Sequence, residues 1–179
     1  VKFAAFFRNV NLGRPHCPSK AQLEQAFLDA GAASAASFLV NGTLVYAVPR
    51  AARAGPVLAA AVARLQQQCG LKEPAYIRRV DHLAALVGAD PFAGIDTSDV
   101  YECCVSFLAP RAPALPPSPW RSRRGDVDVL HCNGTEVFSL SRTIGNTPGS
   151  PNALLEKTLG LPATTRAWNT IVRLVAKHG

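Results

Sequence analysis

The sequence predicts an α+β protein, and three observations carry that prediction. The first is the opening run Lys2-Phe3-Ala4-Ala5-Phe6-Phe7, which is apolar, too short for a helix, and gives way abruptly to Arg8-Asn9-Val10-Asn11-Leu12-Gly13-Arg14. Such a run reads as a buried strand that delivers a polar, glycine-containing loop to the edge of a sheet. The second is a pair of hairpin signals, Val40-Asn41-Gly42-Thr43 and Cys132-Asn133-Gly134-Thr135. The third is that segments of helical spacing alternate with these strands rather than forming one block.

Taken in order, Ser19 caps a helix with Gln22 at the reciprocal capping-box position. Leu23, Ala26, Phe27 and Ala30 share one face of it, and Gly31 ends it. Ser37 to Val40 and Thr43 to Val48 are antiparallel strands around a tight Asn41-Gly42 turn that uses two left-handed positions. Gly55-Pro56 opens a helix through Leu58, Ala61, Val62, Leu65 and Cys69, which Gly70 stops before a strand from Pro74 to Arg79. Strand, helix, hairpin, helix, strand is the split βαβ order called ferredoxin-like, here over residues 1–80.

Residues 81–179 form a second α+β half. Asp81 caps a short helix carrying Leu83, Leu86 and Val87 and closed by Gly88. Tyr101 to Leu108 alternates as a half-buried strand, with Tyr101, Cys103, Val105 and Phe107 on one side. Five prolines from Pro110 to Pro119 make Ala109 to Gly125 a loop, pinned by Trp120. Val127 to Cys132 and Thr135 to Leu140 form the second hairpin, and Ser150-Pro151 starts a helix ended by Gly160. Thr164 or Thr165 caps a final helix with Trp168, Ile171, Val172 and Val175 on its apolar stripe and Arg166, Asn169, Thr170, Arg173 and Lys177 opposite. The two hairpins share Asn-Gly-Thr-x-Val-aromatic, so the halves read as a duplication packed into one globular unit with C-terminal helices. The competing explanation is that any good hairpin uses these residues.

The chain is basic, with a net charge of +7 from 14 arginines and 5 lysines against 12 acidic residues. Arginine pairs with carboxylate or phosphate, so a small anionic ligand or a nucleic acid is the partner class that the charge suggests. No apolar run is long enough for a bilayer and no basic, apolar leader precedes the first strand, which predicts a cytoplasmic protein without a membrane partner. Five cysteines without a C-x-x-C spacing, and histidines His16, His82, His131 and His178 without ligand spacing, predict no disulfide framework and no metal site.

Three stretches resemble a widespread bacterial family, domain of unknown function family 1697. Arg8 to Arg14 is similar to that family's R-G-I-N-V-G-G loop, and Phe38 to Tyr46 to its Y-L-Q-S-G-N-V-V-F hairpin. Thr165-Arg166-Ala167-Trp168-Asn169-Thr170 resembles its T-x-R-N-W-N-T helix start, and Asp90-Pro91-Phe92 a lesser N-P-F signal. Asn9 and Arg14 stand where the family has glycines, and Val40 and Asn41 where it has Gln and Ser. The resemblance implies an α/β fold with ferredoxin-like elements and no established activity. If the polar signature forms a site, its positions here are Arg8, Asn11, Gly13, Gly42, Arg166, Asn169 and Thr170.

Read as chemistry, Arg8 and Asn11 at a strand exit, with Gly13 admitting a close backbone approach, suit an anion. The alternative is that Asn11 closes its own loop while Arg8 pairs with a carboxylate. Arg166, Asn169 and Thr170 at a helix start suit the same charge, and equally describe an ordinary capped helix. His16 beside Cys17 is the one pair that suggests a nucleophile and a base; Asp126 and Asp128 read as balancing nearby arginines. No cofactor motif is present and no reaction is assigned, so the leading expectation is binding of a small anionic ligand. A nucleic-acid-binding module is the alternative, although Phe3, Phe6 and Phe7 read as buried rather than displayed, and a homodimeric interaction module is the third.

Overall fold

A computed structural model describes residues 1–179. It is a mixed α+β structure of two units, Val1–Ala84 with Lys177–Gly179, and Ala85–Ala176.

In the first unit β1 (Lys2–Phe7), α1 (Lys20–Asp29), β2 (Ser34–Leu39), β3 (Thr43–Ala47), α2 (Ala54–Cys69) and β4 (Ala75–Arg79) follow in turn, and α3 (Val80–Ala89) continues from β4 without a break. The sheet is antiparallel in the order β2-β3-β1-β4, so β1 is central and its residues Phe3 to Phe7 are buried. One face of the sheet receives α1 and α2. Leu23, Ala26 and Phe27 of α1 and Val57, Ala61 and Leu65 of α2 join Phe3, Ala5, Phe7 and Tyr46 in one core. Phe27 packs its ring against Phe7 at 6.2 Å and Tyr46 at 4.8 Å. Full burial of such a side chain contributes about 2–3 kcal/mol. The Tyr46 hydroxyl, its pKa pushed up by burial, donates to the Ala54 carbonyl at 3.0 Å.

The punctuation works as the sequence predicts at α1, where Ser19 and Gln22 form the reciprocal capping box, and at α2, where Gly70 takes the left-handed C-cap. The hairpin differs in detail. Only Gly42 has a positive φ, and Val40, Asn41 and Gly42 form a three-residue loop with β2 bulged between Ser37 and Leu39. One left-handed glycine after a turn is the geometry of a bulged three-residue hairpin rather than a two-residue turn. Asp81 also differs: it lies inside the first turn of α3, where it pairs with Arg79 and accepts from the His82 N–H.

The second unit contains β5 (Glu102–Leu108), β6 (Trp120–Arg121), β7 (Val127–Cys132), β8 (Glu136–Ser141), a minor ribbon of β9 (Thr143–Ile144) and β10 (Thr147–Pro148), α4 (Pro151–Leu159), β11 (Ala163–Ala167) and all but the last two residues of α5 (Trp168–His178). Its main sheet runs β11-β5-β8-β7-β6, with antiparallel pairs throughout. β5 is therefore an interior strand, paired on both edges, and Cys104 to Leu108 are buried on both faces instead of alternating as the sequence suggested. Leu155 and Leu159 of α4 pack with Leu108, Val127, Val129 and Val137, and Trp120 joins from β6. Phe92, Phe138 and Trp168 form a separate aromatic cluster with ring centroids 5.6–6.2 Å apart. Both tryptophans thus belong to the second unit.

The final helix requires the largest correction. Ala163 to Ala167 is a strand paired to β5, so Thr164 and Thr165 cap nothing and Arg166 does not stand at a helix start. The β-branched threonines suit the strand, and α5 begins only at Trp168. Its inward face is Trp168, Thr170, Ile171 and Leu174, while Val172 and Val175 are half-buried. No helix of the chain is long and apolar enough to cross a membrane.

Candidate functional site

The polar loop after β1 is held in one shape by its own backbone. Arg8 N–H donates to the Pro74 carbonyl, Leu12 N–H to Val40, Gly13 N–H to Pro18, and Arg14 N–H to Asn11, all between 2.8 and 3.1 Å. Val10, 4% exposed, anchors the loop in the core. Gly42 lies directly beneath: a Cβ there would stand 2.7 Å from the Val10 Cβ and 3.0 Å from the Phe7 Cβ. Two non-glycine residues of the loop, Asn9 (φ 50°) and His16 (φ 58°), adopt left-handed backbone. That conformation is uncommon outside glycine and is held only where the surroundings over-determine it.

Asn9 and His16 both face one polar cleft of about 310 Å³, together with Cys17, Lys72 and Glu73. The Cys17 thiol points at the Asn9 carbonyl, at 4.0 Å. Glu73, the one carboxylate of the cleft, receives Arg8 Nη1 at 2.6 Å, with both side chains largely covered. Its charge is therefore balanced, and the ammonium of Lys72 remains without an ion pair. Cleft and loop together present an amide, an imidazole, a thiol and an ammonium to a space the size of a small metabolite. A larger hollow of about 510 Å³ is lined by Leu12, Phe38, Leu39 and Val40 together with Ser19 and Lys20.

The structure groups the expected site residues by unit. Arg8, Asn11, Gly13 and Gly42 belong to this loop and the hairpin under it; Asn11 is exposed and its carbonyl closes the Asn11–Arg14 turn. Arg166, Asn169 and Thr170 belong to the second unit. Arg166 is 6% exposed and donates to the Thr164 hydroxyl at 2.8 Å and the Thr165 carbonyl at 2.9 Å. Burial pulls its pKa down to about 10, so it is still a cation at neutral pH. Asn169 is exposed and Thr170 buried, so these neighbours do not share a face. Asp128 lies between Arg121 and Arg142, and Asp126 is 3.6 Å from Arg124. No group of three or more His, Cys, Asp or Glu side chains is arranged to hold a metal ion.

Residues 1–138 match the family described as protein of unknown function DUF1697. The chain belongs to this family. Among solved structures, it is similar to the conserved bacterial protein SP0830 from Streptococcus pneumoniae, at 16% identity and a TM-score of 0.60 over 98% of this chain and 97% of that one. At that identity the likeness shows a shared fold. No curated protein matches the chain. The DUF1697 match takes in the opening loop and the first hairpin, whereas the Thr165–Thr170 stretch lies beyond its last matched residue. Membership brings no established activity, and the chain's function is unknown.

Sequence reasoning missed Lys72 and Glu73, which lie between the stop of α2 at Gly70 and the start of β4. The signal was available: in the split βαβ order the last strand pairs with the first, so the residues entering β4 arrive beside those leaving β1.

Proposed function

We propose that this DUF1697 chain binds a small organic anion in the cleft between loop 8–17 and residues 70–73. The observation that carries this reading is the Arg8–Glu73 pair, which cancels the only negative charge of the cleft and leaves Lys72 as its net charge. An entering carboxylate or phosphate meets the Lys72 ammonium, with the His16 ring and the Asn9 amide as further hydrogen-bonding partners. Arg8 acts through Glu73, as a positioning residue; Asn11 and Gly13 set the loop, and Gly42 supports it from below. The cleft volume is at the lower end of the range for small-molecule sites, which favours compact ligands.

Titration calorimetry with a panel of small carboxylates and phosphates tests this. Lys72→Ala is expected to weaken the best ligand about tenfold, about 1.4 kcal/mol. Arg8→Ala frees the Glu73 carboxylate to repel the ligand, and adding Glu73→Gln in the same chain restores binding. A Lys72→Ala chain that binds as well as the native one would overturn the reading.

We further infer that both units are ferredoxin-like and descend from one duplicated unit. The order β2-β3-β1-β4 corresponds strand for strand to β7-β8-β5-β11, and β4 runs straight into α3 as β11 runs into α5. α4 takes the place of α2, and the proline-rich 109–119 stretch stands where α1 would be. Superposition of the two units in an experimental structure tests it: failure of the four strands to overlay in this pairing would refute descent by duplication.

A further inference from the structure

The second unit contains a groove that differs in chemistry from the loop cleft. One wall is the turn between β6 and β7. There the Ser122 hydroxyl accepts the Asp126 and Val127 N–H groups, both at 3.1 Å, and donates to the Asp126 carboxylate at 2.7 Å. The other wall is the face of α4 carrying Ala153, Leu154 and Lys157, a spacing that stacks them on one side of the helix. Between Pro148 and Ser150 of the lining, Gly149 packs so closely on Asp126 that a Cβ there would collide with the Asp126 carbonyl, which ties the segment entering α4 to the turn. The groove has a volume of about 380 Å³.

Its charges do not cancel. Arg123 and Arg124 rise from the turn and Lys157 from the helix, against Asp126 alone. Asp126 is committed to Ser122 and to Arg124, 3.6 Å away, while Arg123 and Lys157 on opposite walls make no ion pair. Two cations without an ion pair, one from the turn and one from α4, therefore line a groove that also exposes the apolar surface of Val127, Pro148 and Leu154. The helix N-terminus adds little, because the Ser150 hydroxyl already takes the Ala153 N–H.

We infer that this groove is a binding site for an organic phosphate monoester, with the phosphate held between Arg123 and Lys157 and the apolar body on Val127, Pro148 and Leu154. A dianionic head matches two cations where a carboxylate matches one, and guanidinium with ammonium supplies donors for several phosphate oxygens. The apolar surface separates such a ligand from inorganic phosphate.

The test uses phenyl phosphate as the probe, with inorganic phosphate and benzoate as comparators, titrated into the full chain at low salt and followed by calorimetry. Phenyl phosphate is expected to bind at least about tenfold more tightly than either comparator, since each carries only half of the recognised chemistry. Arg123→Gln and Lys157→Gln, both exposed positions, each weaken it about fivefold or more. Leu154→Ser removes the advantage over inorganic phosphate. In the Lys72→Ala chain, which lacks the cation of the loop cleft, phenyl phosphate still binds and still depends on Arg123 and Lys157. Equal affinity in the Arg123→Gln/Lys157→Gln double variant would overturn the inference, as would absence of saturation up to about 10 mM probe. Loss of phenyl phosphate binding on Lys72→Ala alone would transfer the ligand to the loop cleft and overturn this site.

Discussion

Position 42 leaves no room for a side chain. Even a methyl group would press on Val10 and Phe7, and its backbone φ of 71° penalises any L residue as well. Gly42→Ala is expected to cost about 2 kcal/mol, read as a lowered urea midpoint with an unchanged slope. Charge acts at the same scale in Asp128. The hydrogen bond from Arg121 holds its carboxyl below the usual range, against the opposing pull of burial, and Arg142 adds to the lowering. A folded pKa below the unfolded one stabilises the native state above the ordinary aspartate value of about 4. That contribution is lost as pH falls through the lowered folded value. Asp128→Asn should therefore be less stable than the native chain at neutral pH, and the difference between their thermal midpoints should shrink as the solution is acidified through that window. Local residue chemistry was legible where a single side chain decides the outcome, as at Ser19 and Gly70. It failed at Arg166, whose burial depends on its pairing with Val105 of strand β5, far earlier in the chain.

At the scale of the element, α1 shows how much one cap can do. Its ten residues include no acidic side chain in the first turn and no basic one in the last, so the Ser19–Gln22 box is its main terminal stabiliser. Ser19→Ala should lower stability by about 1 kcal/mol, and a retained thermal midpoint would show that the packing of Leu23 and Phe27 alone fixes the helix. The strand errors have a common physical cause. Period-two alternation marks a strand with one wet face, and β5, an interior strand covered on both faces, has none over Cys104 to Leu108. The two-residue strands β6, β9 and β10 are too short to have a period at all, and β6 exists only because Trp120 and Arg121 meet Val129 and Asp128.

For the molecule as a whole, strand order was readable in the first unit because strand, helix, hairpin, helix and strand follow without interruption. The candidate site was only half readable. Arg8 and Asn9 announce a loop, but Lys72 and Glu73 reach it only through the β1–β4 pairing, and Arg123 and Lys157 come to line one groove only through the packing of α4. Chemistry assembled from distant segments leaves no local motif. The five cysteines are all free thiols, so the melting temperature should be the same with and without a reducing agent; a drop in reductant would reveal a bond between two of them.

The placing of Trp120 and Trp168 gives the chain an optical asymmetry. Intrinsic tryptophan emission originates entirely in residues 85–176, whereas the far-ultraviolet dichroism sums the helices and strands of both units. Trp120 packs against the core cluster that includes Val127, which also lines the Arg123–Lys157 groove. Emission is thus a label built into one unit, able to report its melting and its ligand without any dye.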